Sequence, residues 1–291
     1  MITSLDCIPC FVRQALEAAR FITDSPAVHE RIMRGILLEV AKMDFSQSPP
    51  AFGQKLHRAL RDLTRVDDPY REIKNQFNQA ALEMLPDLSH KIQDSADPIF
   101  MALRVAIAGN VIDLGVNGNF SGREVKIAMD NVLNEPFHGD VEDFRDTVRD
   151  AQKILYLADN AGEIVFDRLL IEQLQLDRVT LAVRGAPVLN DATRADAEAV
   201  GLCEMVEVID NGSDAPGTIL ADCSLDFRRR FSMADLIIAK GQGNFESLSD
   251  TGENIYFLFK VKCPMIANHV GLPLGTHVAI RCRQTSRSVG E

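Results

Sequence analysis

The apolar pattern changes period near residue 150, and that change limits the folds open to this chain. From Cys7 to about Asp150, apolar residues recur at helical spacing. Phe11, Ala15, Ala18, Ala19 and Ile22 make one face, and Ile32, Ile36, Leu37 and Val40 make another. Ser25-Pro26, Asp68-Pro69 and Asp97-Pro98 each set a capping side chain before a proline suited to a first helical turn. Leu56, Leu60 and Leu63 predict a further helix, and Ile127, Val132, Val141 and Val148 belong to the last two. This half is expected to be all-helical.

After Asp150, short apolar runs alternate with helical stretches. The runs are Ile154 to Leu157, Val179 to Val183, Val206 to Ile209 and Leu236 to Ala239. Runs of this length between helical patterns read as buried parallel strands in an α/β layer. Ile255 to Phe259, Met265-Ile266-Ala267 and Val278-Ala279-Ile280 are expected to complete the sheet. The predicted fold is therefore α/β: a helical region, residues 1–150, packed on a C-terminal α/β/α domain, residues 151–291, with a mainly parallel sheet. The polar tail from Arg283 to Glu291 is expected to fray.

Polar residues follow four consecutive strands. The first run leads into Asp159-Asn160-Ala161-Gly162-Glu163 and the second to Pro187-Val188-Leu189-Asn190-Asp191. The third leads into Asp210-Asn211-Gly212-Ser213 and the fourth into Lys240-Gly241-Gln242-Gly243-Asn244. In an open parallel sheet the carboxyl ends of strands face a common crevice, where ligands bind. Taken singly, Asp-Asn and Asn-Asp are turn or cap chemistry, and a lysine is a solvated surface charge. Together they offer a divalent cation hard oxygen donors from two strands. Lys240, among glycines with exposed N–H groups, could then meet a phosphate as a point charge.

Charge bounds the partners. The formal net charge is −11, from 42 acidic and 31 basic residues, and no basic run could neutralise a row of phosphates. Nucleic acid is therefore not expected. A small anion remains compatible, since a local ion or helix N-terminus outweighs the distant field. No apolar run reaches the roughly 18 residues that suggest a membrane span. The first residues carry no basic region before an apolar core. Six cysteines spread along the chain suit reduced thiols. A cytoplasmic protein is expected; its oligomeric state is not set by any sequence feature.

The segments Leu157 to Glu163, Pro187 to Thr193 and Ala239 to Asn244 resemble the domain-of-unknown-function family described as metal-dependent damage-control phosphatases, also labelled acidic-residue methyltransferase-like. Ala108-Gly109-Asn110-Val111-Ile112-Asp113 is similar to the family's Gly-Asn-x-x-Asp signature, and Cys7-Ile8-Pro9-Cys10 to the N-terminal pair of its prokaryotic branch. The likeness runs in order along nearly the whole chain. It implies hydrolysis of small phosphorylated metabolites with manganese, cobalt, nickel or magnesium. It places metal ligands on Asp159, Asn160 and Asp191, and a phosphate-contacting lysine on Lys240. It also sets Asn110 and Asp113 beside the substrate. Gly241 and Gly243 would add N–H groups to the phosphate site, with Asn244 next to them. Asp159 has a second expected task, either orienting the attacking water or attacking phosphorus itself.

Two alternatives stay open. A non-catalytic metal- or nucleotide-binding module would use the same crevice. A methyltransferase using S-adenosylmethionine is disfavoured, because the turn after the first strand has one glycine where close approach to such a cofactor needs a glycine-rich loop. Cys7 and Cys10, at a helix start where the dipole favours thiolate, admit packing, a task near the substrate or a second metal, or redox chemistry.

Overall fold

The computed structural model describes residues 1–111, 126–127, 129–252 and 254–282. Five helices come first: α1 (Cys7–Ile22), α2 (Pro26–Ala41), α3 (Pro49–Thr64), α4 (Arg71–Gln93) and α5 (Pro98–Ala108). Proline opens α2, α3 and α5, where a missing N–H costs nothing. Asp97 caps α5 by accepting from the Phe100 N–H at 3.0 Å. Asp68-Pro69 does not start a helix; α4 begins at Arg71. The Asp68 carboxylate instead holds the buried Lys74 ammonium at 2.9 Å and accepts from the Tyr70 N–H at 3.1 Å.

Among the described residues the sheet has seven strands: β1 (Phe137–Gly139), β2 (Ile154–Leu157), β3 (Val179–Val183), β4 (Glu207–Asp210), β5 (Leu236–Lys240), β6 (Ile255–Lys260) and β7 (His277–Cys282). Their order is β1-β7-β6-β5-β2-β3-β4, all neighbours parallel except β6 and β7. The helices among these strands are α6 (Val141–Asp150), α7 (Glu163–Ile171), α8 (Arg194–Ala199), α9 (Leu225–Met233), α10 (Gly241–Leu248) and α11 (Pro264–Val270). From β2 the chain steps outward to β3 and β4, then returns to β5 on the other side of β2. The carboxyl ends of β2 and β5 therefore flank the point where strand order reverses, the expected place for a crevice.

Two further details depart from the sequence reading. Met265-Ile266-Ala267 lies in helix α11, not in a strand. A three-residue apolar run has no decisive period, and Pro264 at the first turn with Gly271 at φ +69° just after the end selects the helix. Phe137–Gly139, in the helical stretch, adds a short parallel strand to β7 at the sheet edge.

One continuous buried apolar cluster joins Phe77, Leu103 and Ile107 of the early helices to Ile164 and Phe166 of α7 and Tyr156 of β2. Polar clamps add direction. Asn78 of α4 accepts from the Gly162 N–H at 2.6 Å, and Gln54 of α3 donates to Asp214 at 2.6 Å, in the loop after β4. Arg58 and Arg61 also pair with Asp214. The helices are thus fastened onto the loops that leave the carboxyl ends of the strands.

Candidate functional site

Asp159 and Asn160 follow β2; Asp191 lies in the loop after β3. Backbone pairing brings the two loops together. Ala192 N–H donates to Asp159 O at 2.8 Å, Ala161 N–H donates to Asn190 O at 2.8 Å, and Asn160 and Asp191 form an antiparallel bridge. Leu189 takes φ +46°, a conformation uncommon outside glycine, as the chain turns into Asn190-Asp191. The three expected ligands therefore meet, all of them buried.

The Asn160 amide donates to Asp159 Oδ2 at 2.9 Å and to Glu163 Oε2 at 3.0 Å. Both of its protons are thus committed to carboxylates, which leaves the amide oxygen to serve a cation. Asn110, in the 3-10 turn after α5, donates to the same two atoms, at 2.7 Å to Glu163 Oε2 and 3.2 Å to Asp159 Oδ2. Asp113 lies outside the described residues.

Lys240, at the end of β5, is wholly shut off from solvent. Its ammonium reaches Ala106 O at 2.9 Å, Glu163 Oε1 at 2.8 Å and Asp167 Oδ1 at 2.5 Å. Three partners use all three ammonium protons. The expected contact from Lys240 to a phosphate therefore has no donor left to make it, and the side chain holds Glu163 and Asp167 in place. Burial pulls the lysine pKa down, but Asp167 and Glu163 outweigh it and keep the ammonium charged.

Gly241 has φ +78°, and a Cβ there would sit 1.8 Å from Asp159 Oδ2. The start of α10 can approach the carboxylate only because no side chain intervenes. Gly243 serves a different approach: its Cβ would meet Pro216 O at 2.4 Å. It packs the helix against the loop at 215–218. Asn244 is buried and donates to Lys240 O at 2.7 Å and Ala158 O at 3.3 Å, tying the ends of β5 and β2. Its Oδ1 accepts from Thr218 at 2.8 Å. Asp210 to Ser213 organise their own loop: Asn211 accepts from Gly185 N–H at 3.0 Å and Ser213 N–H at 2.9 Å.

Sequence reasoning missed Arg184, Glu163 as a hub, and Asp167. Arg184 directly follows β3, the same place in its strand that Asp159 nearly holds after β2, and that position was the available signal. Its Nε donates to Asp191 Oδ2 at 2.6 Å and its Nη2 lies 3.7 Å from Asp159 Oδ1.

Four buried carboxylates, Asp159, Glu163, Asp167 and Asp191, thus face two buried cations, Arg184 and Lys240. Burial, then the charges of Glu163 and Asp191, hold the Asp159 pKa well above the usual carboxylate range, against the pull of Arg184 and Lys262. Ionising all four carboxylates away from water is costly, and a divalent cation would supply the charge that stabilises Asp159 as a carboxylate. The donor set fits such an ion: two carboxylates and an amide oxygen, with room in a hard-cation shell for water or phosphate. Among the described residues no group of three or more His, Cys, Asp or Glu side chains converges as a metal centre.

Cys7 and Cys10 open α1, and burial raises the Cys7 thiol pKa, with Glu246, Cys263 and Cys10 adding to the rise. The expected thiolate is therefore not favoured at Cys7, where desolvation outweighs the helix dipole.

Residues 3–278 match the family described as the damage-control phosphatase ARMT1-like domain. An uncharacterized protein of Methanocaldococcus jannaschii is 35% identical over 291 residues, covering 95% of this chain and 94% of that protein. Damage-control phosphatases of Pyrococcus horikoshii and Archaeoglobus fulgidus are each 32% identical, covering 95% and 94% of this chain and 96% of each relative. The crystal structure of a DUF89 family protein from P. horikoshii superposes with a TM-score of 0.87 at 31% identity, covering 97% of this chain and all of that one. Among the described residues no helix is long and apolar enough to cross a membrane.

Proposed function

Because the chain belongs to the damage-control phosphatase ARMT1-like family, we propose that it is a metal-dependent phosphomonoester hydrolase acting on small phosphorylated metabolites such as sugar phosphates. The observation that carries this reading is the meeting of Asp159, Asn160 and Asp191 inside a buried, carboxyl-rich cluster.

A divalent ion held by Asp159, Asn160 and Asp191 would supply Lewis-acid polarisation of a phosphate oxygen and bring water within reach of phosphorus; manganese, cobalt, nickel and magnesium suit the donors. The chain's own residues do the holding. Glu163 accepts from both Asn110 and Asn160 and so sets the amide that would face the ion. Lys240 fixes Glu163 from the far side. Asp159 Oδ2 already accepts protons from Asn110 and Asn160, which suits a fixed ligand that orients water better than an attacking nucleophile. The start of α10 adds N–H dipoles beside Asp159, where negative charge develops on the phosphoryl oxygens.

The test is phosphate release from a panel of phosphorylated metabolites, with each metal and with chelator. Metal-dependent release that disappears in Asp159→Ala supports the reading. Metal binding without release from any member would assign the crevice to a non-catalytic binding module instead.

A further inference from the structure

Arg184 makes one hydrogen bond fewer than its burial demands. It is 2% exposed, yet Nη2 has no hydrogen-bond partner. The rest of the guanidinium is anchored: Nε on Asp191 at 2.6 Å, and Nη1 against Asn244 Oδ1 at 3.4 Å and Thr218 Oγ1 at 3.5 Å. An unpaired donor on a buried guanidinium is costly, and such a group is retained where a ligand completes it.

Charge gives the ligand its sign. Nη2 lies 3.7 Å from Asp159 Oδ1, so a divalent ion on Asp159 and Asp191 would have a guanidinium as its immediate neighbour. Asp191 is shared between the two cations, but Nη2 still lacks a hydrogen-bond acceptor, and an anionic ligand of the ion would supply one. A tetrahedral oxyanion that shares its oxygens between both satisfies the ion and the orphaned N–H together. Lys240 cannot take this part, its three protons being engaged elsewhere.

Resting on the phosphatase reading above, we propose that Arg184 is the residue that grips the phosphoryl group, its Nη2 donating to a phosphate oxygen. Nε stays on Asp191, so the residue spans ligand and substrate. Thr218 and Asn244 set the plane of the guanidinium and thereby the direction of that donor.

Calorimetry with inorganic phosphate as the probe, on protein saturated with manganese, tests this. Arg184→Gln is expected to weaken phosphate binding by about ten- to a hundredfold, the value of a hydrogen bond to a charged group. Manganese affinity, titrated without phosphate, should hold or rise, because a competing cation has left Asp191. A purely structural salt bridge gives the opposite split, with manganese affinity falling and phosphate affinity unaltered, and that result overturns the proposal. Arg184→Lys keeps the charge but not the planar fork, and should fall between the two. If neither variant folds, a wild-type crystal soaked in manganese and phosphate decides. A phosphate oxygen within about 3.2 Å of Nη2 agrees, and phosphate bound away from Arg184, or not bound at all, overturns it. Should wild-type protein bind phosphate through Arg184 yet hydrolyse no ester, the catalytic reading fails while this one stands.

Discussion

The Lys240 ammonium lies 2.8 Å from Glu163 Oε1, and neither side chain touches solvent. The pair links the end of β5 to the first turn of α7, and its other contacts run to Asp167, Asn110 and Asn160. A charged network sealed from water stabilises one arrangement only while all its members are present.

Lys240→Ala should therefore act first on stability. Removing the cation leaves Glu163 and Asp167 buried without compensation, at a cost of about 3–5 kcal/mol. Asp167, whose pKa burial already lifts to about 6 despite Lys240, would be protonated at neutral pH. Denaturant unfolding measures the loss; wild-type stability in this variant would contradict the network.

Glu163→Gln tests the hub without changing its shape. The carboxylate orients Asn160, an expected ligand, and Asn110 beside it. Loss of such support lowers metal affinity by about ten- to a hundredfold. Manganese titration by calorimetry reads this directly. Unaltered affinity would mean that Asn160 needs no orienting partner.

Gly241→Ala should disturb the site more than the fold around it. The new methyl would fall 1.8 Å from Asp159 Oδ2, at φ +78°. Either the carboxylate or the start of α10 must move. Backbone strain of this kind costs about 1–3 kcal/mol, and metal affinity should drop with it. Thermal unfolding with and without manganese separates the two effects: the metal-induced rise in Tm should shrink.

Acid should destabilise the protein through two buried histidines. Burial, aided by Arg61, lowers the His57 pKa to about 4; burial, with Arg104 and Lys260, lowers that of His277 to about 3. Each is held neutral in the fold but protonates near 6.5 when unfolded, so the stability is complete above that value. It falls as pH drops from about 6.5 toward 4 for His57 and toward 3 for His277, by up to about 1.4 kcal/mol per pH unit for each. Unfolding free energy measured across this window should show the slope, and His57→Phe should flatten it.

Much of the plan was legible because strands β2 to β5 are short apolar runs whose endings are polar. That pattern placed Asp159, Asn160 and Asp191 on one edge, where backbone pairing of their loops unites them. The task of Lys240 was not legible, since its partners lie 73, 77 and 134 positions away and nothing local betrays them. Arg184 escaped notice because a lone arginine after a strand resembles a surface charge; beyond its position, its burial and unpaired Nη2 set it apart. Met265-Ile266-Ala267 is too short for its period to separate strand from helix, and Pro264 decided the matter.

Anomalous diffraction at the manganese edge, from crystals grown with that ion, asks the central question most directly. One peak within about 2.0–2.6 Å of oxygens from Asp159, Asn160 and Asp191 is the predicted result. A peak coordinated elsewhere, or none in protein that still cleaves phosphoesters in chelator, would contradict it.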